Sequence, residues 1–246
     1  MFLILASLMF WSCTKERSLV FSNEKYEKFS KIENIDTPTK VVIDIPIATS
    51  KNMVSDSINV ALYKFIEDVV YLEDKPILFS SYEELTNSFI VSYEDLKNKY
   101  PEETEWEANI RGEICFQTEN LLNIRLEYYI FVGGAHGYFG VKSFLFDLKT
   151  GKELTKKDLF TDMKNFTPLI EKKFRNKFQI NPTQNINSTG FMFENNFFHL
   201  PENIFFNENG ILLVYNTYEI ASYADGIQEL YIPYKDITRF LEFNIE

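Results

Sequence analysis

The sequence predicts an α+β fold: an antiparallel sheet, formed as a meander, with flanking helices, in two small and tightly associated subdomains. Apolar residues recur at the helical period of 3.6 between residues 56 and 100, and they alternate with polar residues at the strand period of two from Trp106 onwards. Strand-like runs are grouped in the middle and at the end of the 246-residue chain, with helical segments beside them. This grouping is typical of α+β proteins.

The N-terminus has the pattern of an export signal. An apolar run from Phe2 to Trp11 has about the length of a signal-peptide core and is too short to span a bilayer. It ends at Ser12-Cys13, and polar residues follow at once. This pattern resembles a bacterial lipoprotein signal, so residues 1–13 are predicted to be a signal peptide with Cys13 as the lipidated residue. A cleaved secretory signal and a membrane anchor are the alternatives.

The next hundred residues are predicted to form a tether, a strand and two helices. Residues 14–40 are polar and lack periodicity, as in a flexible tether. The run "KVVIDIPIA" then alternates and is rich in β-branched residues, as in a strand. Asp56 is the expected cap of the first helix, and Ser81 and Glu84 have capping-box spacing at the start of the second. The apolar stripe of the second helix comprises Tyr82, Leu85, Phe89, Tyr93, Leu96 and Tyr100.

The following segment is predicted to form three antiparallel strands from Trp106 onwards, with Gly133–Gly137 interrupting the alternation between the second and third. A helix is then expected, with Thr167 as its cap and Pro168 in its first turn.

The last segment, "GILLVYNTYEIASYADGIQELYIPY", predicts two strands around an irregular, tyrosine-rich connection. These patterns divide the folded part into an N-terminal α/β subdomain, residues 41–105, and a C-terminal subdomain, residues 106–246.

Charge and cysteine content exclude several classes of protein. The formal net charge is −11, which argues against nucleic acid as a partner because phosphate binding needs a basic surface. An acidic surface favours encounters with cationic partners. Only Cys13 and Cys115 are present, so lipidation of Cys13 would leave no intramolecular disulfide. Cys115 is expected to be a buried small hydrophobic residue.

The inventory of chemically active residues predicts neither a catalytic site nor a metal site. The chain has two histidines, His136 and His199, which rules out a three-histidine zinc set and leaves a site with both histidines and one carboxylate as the alternative. No HExxH, GxSxG, P-loop or GxGxxG pattern is present. No catalytic residue, metal ligand or cofactor is therefore assigned. His199 is expected to pack among aromatic residues.

The glycine-rich corner is the most unusual local pattern. Gly133, Gly134 and Gly137 surround Ala135 and His136, and this predicts a bulged or sharply bent connection between two strands. The favoured role for His136 is structural, as a side chain that hydrogen-bonds to nearby backbone. Recognition and catalysis are the alternatives for the same residue.

Several segments resemble a known bacterial family. "GGAHGY", "FDLKTGKELTKKDLF" and "YEIASYADGIQELYIPY" resemble the signature of an extracytoplasmic domain of unknown function. That domain occurs in the lysozyme-sensing anti-sigma factor RsiV and in the peptidoglycan deacetylase PdaC, whose deacetylase is a separate domain. "VVIDIPIATSKNMVSDSINVALYKFI" resembles the domain that commonly precedes it. The resemblance implies an α+β fold, an envelope location and lysozyme binding in one member, and from it residues 106–246 are expected to form an RsiV-like sensor domain.

Together these patterns predict a lipid-anchored envelope protein that faces the periplasm or exterior and binds a partner without catalysis. The partner expected is a lysozyme-type cationic protein or a peptidoglycan-associated component. Contacts are expected at the His136 corner and on a loop that includes Tyr218, Tyr223, Asp225 and Gly226. The alternative is an envelope hydrolase in which His136 is the general base, oriented by Asp147 or Asp225.

Overall fold

The computed structural model describes residues 19–32, 37–72 and 79–244, and the predicted signal peptide with Cys13 lies outside them. The helices and strands are β1 (Phe21–Phe29), β2 (Lys40–Ala48), α1 (Met53–Val70), α2 (Tyr82–Lys99), β3 (Glu107–Gln117), β4 (Leu121–Phe131), β5 (Tyr138–Asp147), α3 (Lys156–Leu159), α4 (Met163–Lys177), β6 (Asn203–Asn207), β7 (Gly210–Tyr215), β8 (Gln228–Pro233) and α5 (Tyr234–Ile237). Within this described part, no helix is long and apolar enough to cross a bilayer.

The larger sheet has five strands in the order β1-β2-β3-β4-β5. The predicted meander is confirmed, because β3, β4 and β5 pair antiparallel. The pair β2 and β3 is parallel, with Ile43 opposite Ile110, so the sheet as a whole is mixed. Helices α1 and α2 cover one face and bury an apolar core that includes Ile58, Leu62 and Phe89. The α+β class predicted from the sequence is therefore correct.

The two long helices begin where side chains can satisfy free backbone N–H groups. Ser81 caps α2, and its side chain accepts a hydrogen bond from the Glu84 N–H at 3.2 Å, as predicted. The cap predicted for α1 was wrong: Asn52, not Asp56, has extended backbone angles and accepts from the Ser55 N–H at 2.9 Å. Asp56 lies inside the first turn, where its charge favours the positive end of the helix dipole.

The smaller sheet comprises β6, β7 and β8, all antiparallel. Helix α4 buries Phe166, Ile170 and Phe174 in the same apolar core as this sheet. The predicted start of α4 at Thr167-Pro168 was wrong. Asp162 caps the helix by accepting from the Asn165 N–H at 3.2 Å, which places Pro168 inside it. Proline already has a helical φ, and its presence there removes one helical hydrogen bond.

Two predictions about chain organisation also differ from the structure. Residues 21–29, within the predicted tether, form β1, because all nine residues pair with β2. The expected boundary between residues 105 and 106 does not separate two folding units, since β2 and β3 lie on either side of it in one sheet. Both differences arise from strand pairing, of β1 with the next strand and of β2 with the distant β3, which local periodicity does not report.

A buried cluster of polar side chains, here called the amide network, joins the two sheets and consists of Asn123, Ser143 and Asn203. The Asn123 amide donates to Ser143 Oγ and to the Phe144 carbonyl, both at 2.9 Å, and its Oδ1 accepts from the Phe206 N–H at 2.8 Å. Asn203 Oδ1 accepts from the Ser143 N–H at 2.9 Å. Buried polar groups are costly unless paired, so this pairing fixes β6 against β4 and β5.

The outer edge of β5 is covered by side chains and a turn. Asn216 accepts from the Val141 N–H at 2.9 Å and donates to the Val141 carbonyl at 2.8 Å. Asn203 Oδ1 accepts from the Ser143 N–H, which is the next N–H of β5 that faces outward. Further along the strand, the Leu154 N–H donates to the Leu145 carbonyl at 2.7 Å. These contacts place the segment after β7 beside the beginning of β5.

Candidate functional site

The glycine-rich corner connects β4 to β5 and has the tight geometry expected from its sequence. Gly133 and Gly134 have φ values of 92° and 88°, in a region of backbone conformation that residues with a Cβ rarely adopt. A Cβ on Gly137 would lie 2.4 Å from the ring of Tyr129, so that position has no room for one. The corner turns the chain and leaves His136 exposed at its outer side.

Three aromatic rings meet at this corner and form a surface called here the ring platform: His136, Tyr218 and Tyr223. The His136 ring stacks on the Tyr223 ring with centroids 3.9 Å apart and planes inclined by 22°. The Tyr223 hydroxyl donates to the Gly137 carbonyl at 3.0 Å, and the Tyr218 ring lies 5.7 Å from Tyr223. Tyr218 is 55% exposed and Tyr223 39% exposed, so the platform presents aromatic surface to solvent.

The loop that carries the two tyrosines is held by its own side chains. Asp225 Oδ2 accepts from the Ser222 N–H at 3.2 Å and from Ser222 Oγ at 2.5 Å. Gly226 follows with a φ of 65°. Tyr218 has a φ of 70°, a conformation that costs a non-glycine residue roughly 1–3 kcal/mol. Asp225 and Gly226 therefore determine the conformation of the loop. The backbone of Tyr218 is strained, and its side chain is exposed to solvent.

A groove of about 440 Å³ lies beside the platform, and Tyr218 forms part of both. Its walls also include Tyr128, Tyr138, Lys142 and Glu219. Burial raises the pKa of the Glu219 carboxyl above its ordinary value, although Oε2 accepts from the Asn216 N–H at 2.9 Å. The groove thus combines aromatic walls with the cationic side chain of Lys142 and two acidic side chains, the exposed Glu202 and the partly buried Glu219.

Sequence reasoning did not identify these groove residues. Glu219 lies within the predicted Tyr218–Gly226 loop, but nothing in the local pattern shows that folding would partly bury its carboxylate. Tyr138 and Lys142 belong to β5, where alternation predicts a strand without showing which residues line a groove.

The surroundings of His136 do not match those of a general base, which would need a carboxylate hydrogen-bonded to its ring. Its Nδ1 lies 3.0 Å from the Gly137 carbonyl, and no carboxylate of the described residues hydrogen-bonds to it. Asp147 accepts instead from the Lys149 and Thr150 N–H groups, and Asp225 from Ser222. Within the described part of the chain, no group of three or more His, Cys, Asp or Glu side chains could hold a metal ion.

The remaining candidate side chains have structural surroundings. Burial raises the pKa of the Cys115 thiol to about 12, so this residue is protonated and unreactive at neutral pH. His199 lies edge-on to the rings of Phe193 and Tyr215, in agreement with the packing role expected for it.

The fold and the platform define a two-sheet α+β domain with an exposed aromatic surface, and comparisons with known families place it further. Residues 32–138 match the family model described as Deacetylase PdaC. Residues 157–235 match the model described as Protein of unknown function (DUF3298). The C-terminal part of the chain is therefore similar to the DUF3298 model and the part before it to the PdaC model, in agreement with the sequence resemblance. These matches support an extracytoplasmic domain of unknown function.

Two solved structures share the fold over nearly the whole chain. A DUF3298 family member from Bacteroides fragilis has a TM-score of 0.71 and 21% identity, and the alignment covers 92% of this chain and 95% of that one. A DUF3298 family protein from Pseudomonas aeruginosa has a TM-score of 0.63 and 19% identity, with 93% and 97% covered. At these identities the likeness concerns the fold alone. No curated protein matches the chain significantly.

Proposed function

We propose that this protein is a non-catalytic binding module of the cell envelope and that the ring platform is its recognition surface. One observation carries the proposal: Tyr223 donates to the Gly137 carbonyl across 86 residues of sequence, which joins the corner to the tyrosine-rich loop. The joined segments expose three aromatic rings on loops that connect strands of the two sheets. Tyrosine supplies large contact area at a small cost in conformational entropy, so such a surface suits recognition.

The partner that we propose is a cationic protein of the lysozyme type. A net charge of −11 attracts a basic protein and speeds its approach. The same charge repels anionic wall polymers, which makes a peptidoglycan-associated component the second candidate. The sequence resemblance to a lysozyme-binding sensor domain is consistent with the first.

Titration of lysozyme against this protein, by calorimetry or biosensor, tests the proposal. Tyr218→Ala and Tyr223→Ala should each weaken binding by about 10-fold or more, because exposed tyrosines at an interface commonly contribute above 1 kcal/mol. Tyr231→Ala is the matched control: Tyr231 is 45% exposed but belongs to β8, outside the platform. Its affinity should equal that of the wild type.

The salt dependence of the binding rates distinguishes long-range electrostatic attraction from short-range contacts in the complex. Raising the salt concentration should slow association more than it speeds dissociation, since screening acts on the long-range attraction. If lysozyme fails to bind at high micromolar concentration in low salt, lysozyme is excluded as the partner. If it binds and the three tyrosine variants behave alike, the platform is not the binding surface.

The proposed envelope location includes lipidation at Cys13. A Cys13→Ser variant should leave the membrane fraction and lose incorporation of labelled lipid, whereas Cys115→Ser should change neither. Unchanged fractionation and labelling of Cys13→Ser would contradict the anchor.

A further inference from the structure

The two edges of the five-stranded sheet differ in what covers them. The β5 edge is covered by Asn203, Asn216 and the segment at Leu154. At the other edge, no strand of the described residues lies beyond β1. An uncovered edge presents backbone N–H and C=O groups that can pair with another chain.

The pairing with β2 determines which residues of β1 face that edge. The Val20 carbonyl accepts from Thr49 N–H at 2.8 Å, and Ser30 N–H donates to the Thr39 carbonyl at 2.9 Å, with uninterrupted register between them. In an antiparallel pair, successive residues direct their backbone groups to opposite sides. Even-numbered residues of β1 therefore bond to β2, and the odd-numbered residues direct their groups to the open edge.

The charges of β1 select one arrangement for a second copy of the same strand. In a two-fold antiparallel pair, an axis centred on a charged residue of β1 places two like charges opposite each other. An axis centred on Tyr26 instead places Lys25 opposite Glu27 of the second copy. It also places Glu24 opposite Lys28, and symmetry repeats both pairs. Opposite charges across a strand pair are stabilising and like charges are destabilising.

We propose that β1 is a homodimer interface, in which two copies pair antiparallel about an axis at Tyr26 and their sheets become continuous. Four odd-numbered positions, Asn23, Lys25, Glu27 and Phe29, would exchange about eight backbone hydrogen bonds with the second copy. An isologous interface of this kind closes at two subunits and needs no further contact.

Exposed apolar side chains lie close to the same edge. Phe29 is 45% exposed at the end of β1. Val91, on α2, is 44% exposed and lies one turn after Asn87, which accepts from Lys28 Nζ at 2.6 Å. Helix α2 packs over the face of β1 that carries Tyr26 and Lys28, whereas Phe29 points to the opposite face, so a second copy would approach one exposed apolar side chain on each face of the sheet.

Charged edge strands commonly prevent pairing, and the pattern of charges distinguishes that role from dimerisation. A protective pattern opposes pairing in every register. Here one two-fold register contains only opposite-charge pairs, and it also matches the backbone groups of β1 that point away from β2.

Charge reversal provides the test, with the full chain in detergent solution and its protein mass measured by analytical ultracentrifugation. The wild type should be dimeric at micromolar concentration. Lys25→Glu and Glu27→Lys should each raise the dissociation constant by about tenfold or more, because each creates two like-charge pairs. The double reversal should restore the wild-type constant. Lys64→Glu, at an exposed position of α1, is the control and should have no effect.

An equimolar mixture of the two single variants gives the sharpest result. One copy then carries two acidic residues and the other two basic residues at positions 25 and 27, so the mixture should form a heterodimer at concentrations at which each variant alone is largely monomeric. A monomeric wild type at about 100 µM would overturn the proposal. A dimer that is insensitive to both single reversals would overturn it equally.

Discussion

The amide network contacts the middle of β5, whereas the ring platform lies at its beginning. In the network, the side chains of Asn123, Ser143 and Asn203 are buried and bond to backbone groups of both sheets. In the platform, the Tyr223 hydroxyl and the His136 Nδ1 contact a single carbonyl, and the side chains of Tyr218 and Tyr223 remain partly exposed. The comparison separates two uses of polar side chains: the network fixes the fold, and the platform leaves surface free for a partner.

The largest expected effect is on the network. Asn123→Ala removes three hydrogen bonds and leaves the Phe206 N–H and Phe144 carbonyl without that partner in a buried position. We expect a loss of about 3–5 kcal/mol in the free energy of unfolding. Asn209→Ala, at an exposed turn, should cost less than about 0.5 kcal/mol. Urea denaturation of both variants measures the difference, and equal losses would show that the network does not hold the sheets together.

A smaller effect is expected at the corner that supports the platform. Gly134→Val places a β-branched residue at a φ of 88°, at a cost of order 1–3 kcal/mol. His136→Ala loses one exposed contact and should cost about 1 kcal/mol or less. Thermal melts of the two variants test this order. A near-normal melt for Gly134→Val with a collapsed His136→Ala would mean that the histidine, and not the backbone, shapes the corner.

The smallest effect concerns pH and the groove beside the platform. Burial raises the pKa of the Glu219 carboxyl in the folded protein above its ordinary value of 4.5. As the pH rises, this carboxyl therefore ionises in the unfolded chain before it ionises in the folded protein. Folding is therefore opposed progressively between that value and the raised pKa, and by a constant amount above it. Glu219→Gln should therefore stabilise the protein at pH 7, and the difference in stability between the variant and the wild type should disappear as the pH falls below the ordinary carboxyl pKa.

Denaturation of the wild type and Glu219→Gln across this pH range provides the measurement. Gln retains an oxygen that can accept from the Asn216 N–H, so the hydrogen bond is preserved while the charge is removed. A gap that is independent of pH would show that ionisation of Glu219 plays no part.

Local patterns in the sequence predicted the elements that depend on local interactions. The stripe of α2 is an example, because Leu85, Phe89 and Tyr93 meet the core through helical spacing alone. The glycines of the corner are another example, since Gly133 and Gly134 can adopt positive φ values whatever residues surround them. Both could be identified without knowing what lies opposite.

Features that depend on distant pairing could not be predicted in the same way. The strand β1 reads "FSNEKYEKF", whose charged residues obscure the alternation, and its strand conformation depends on the partner β2. The stack of His136 on Tyr223 and the burial of Glu219 arise from contacts between segments far apart in the chain. The sequence supplied candidate residues for the platform, and only the fold brings them together.

The covering of the β5 edge has a consequence for how the chain acquires its structure during synthesis and export. Ser143 and Val141 receive their edge partners from residues 60 and 75 positions later, Asn203 and Asn216. A chain that emerges N-terminus first therefore exposes the β5 edge until its last quarter has arrived. During that interval the nascent sheet is open to pairing with other chains, so chaperone dependence should end only when Asn216 is available to close it.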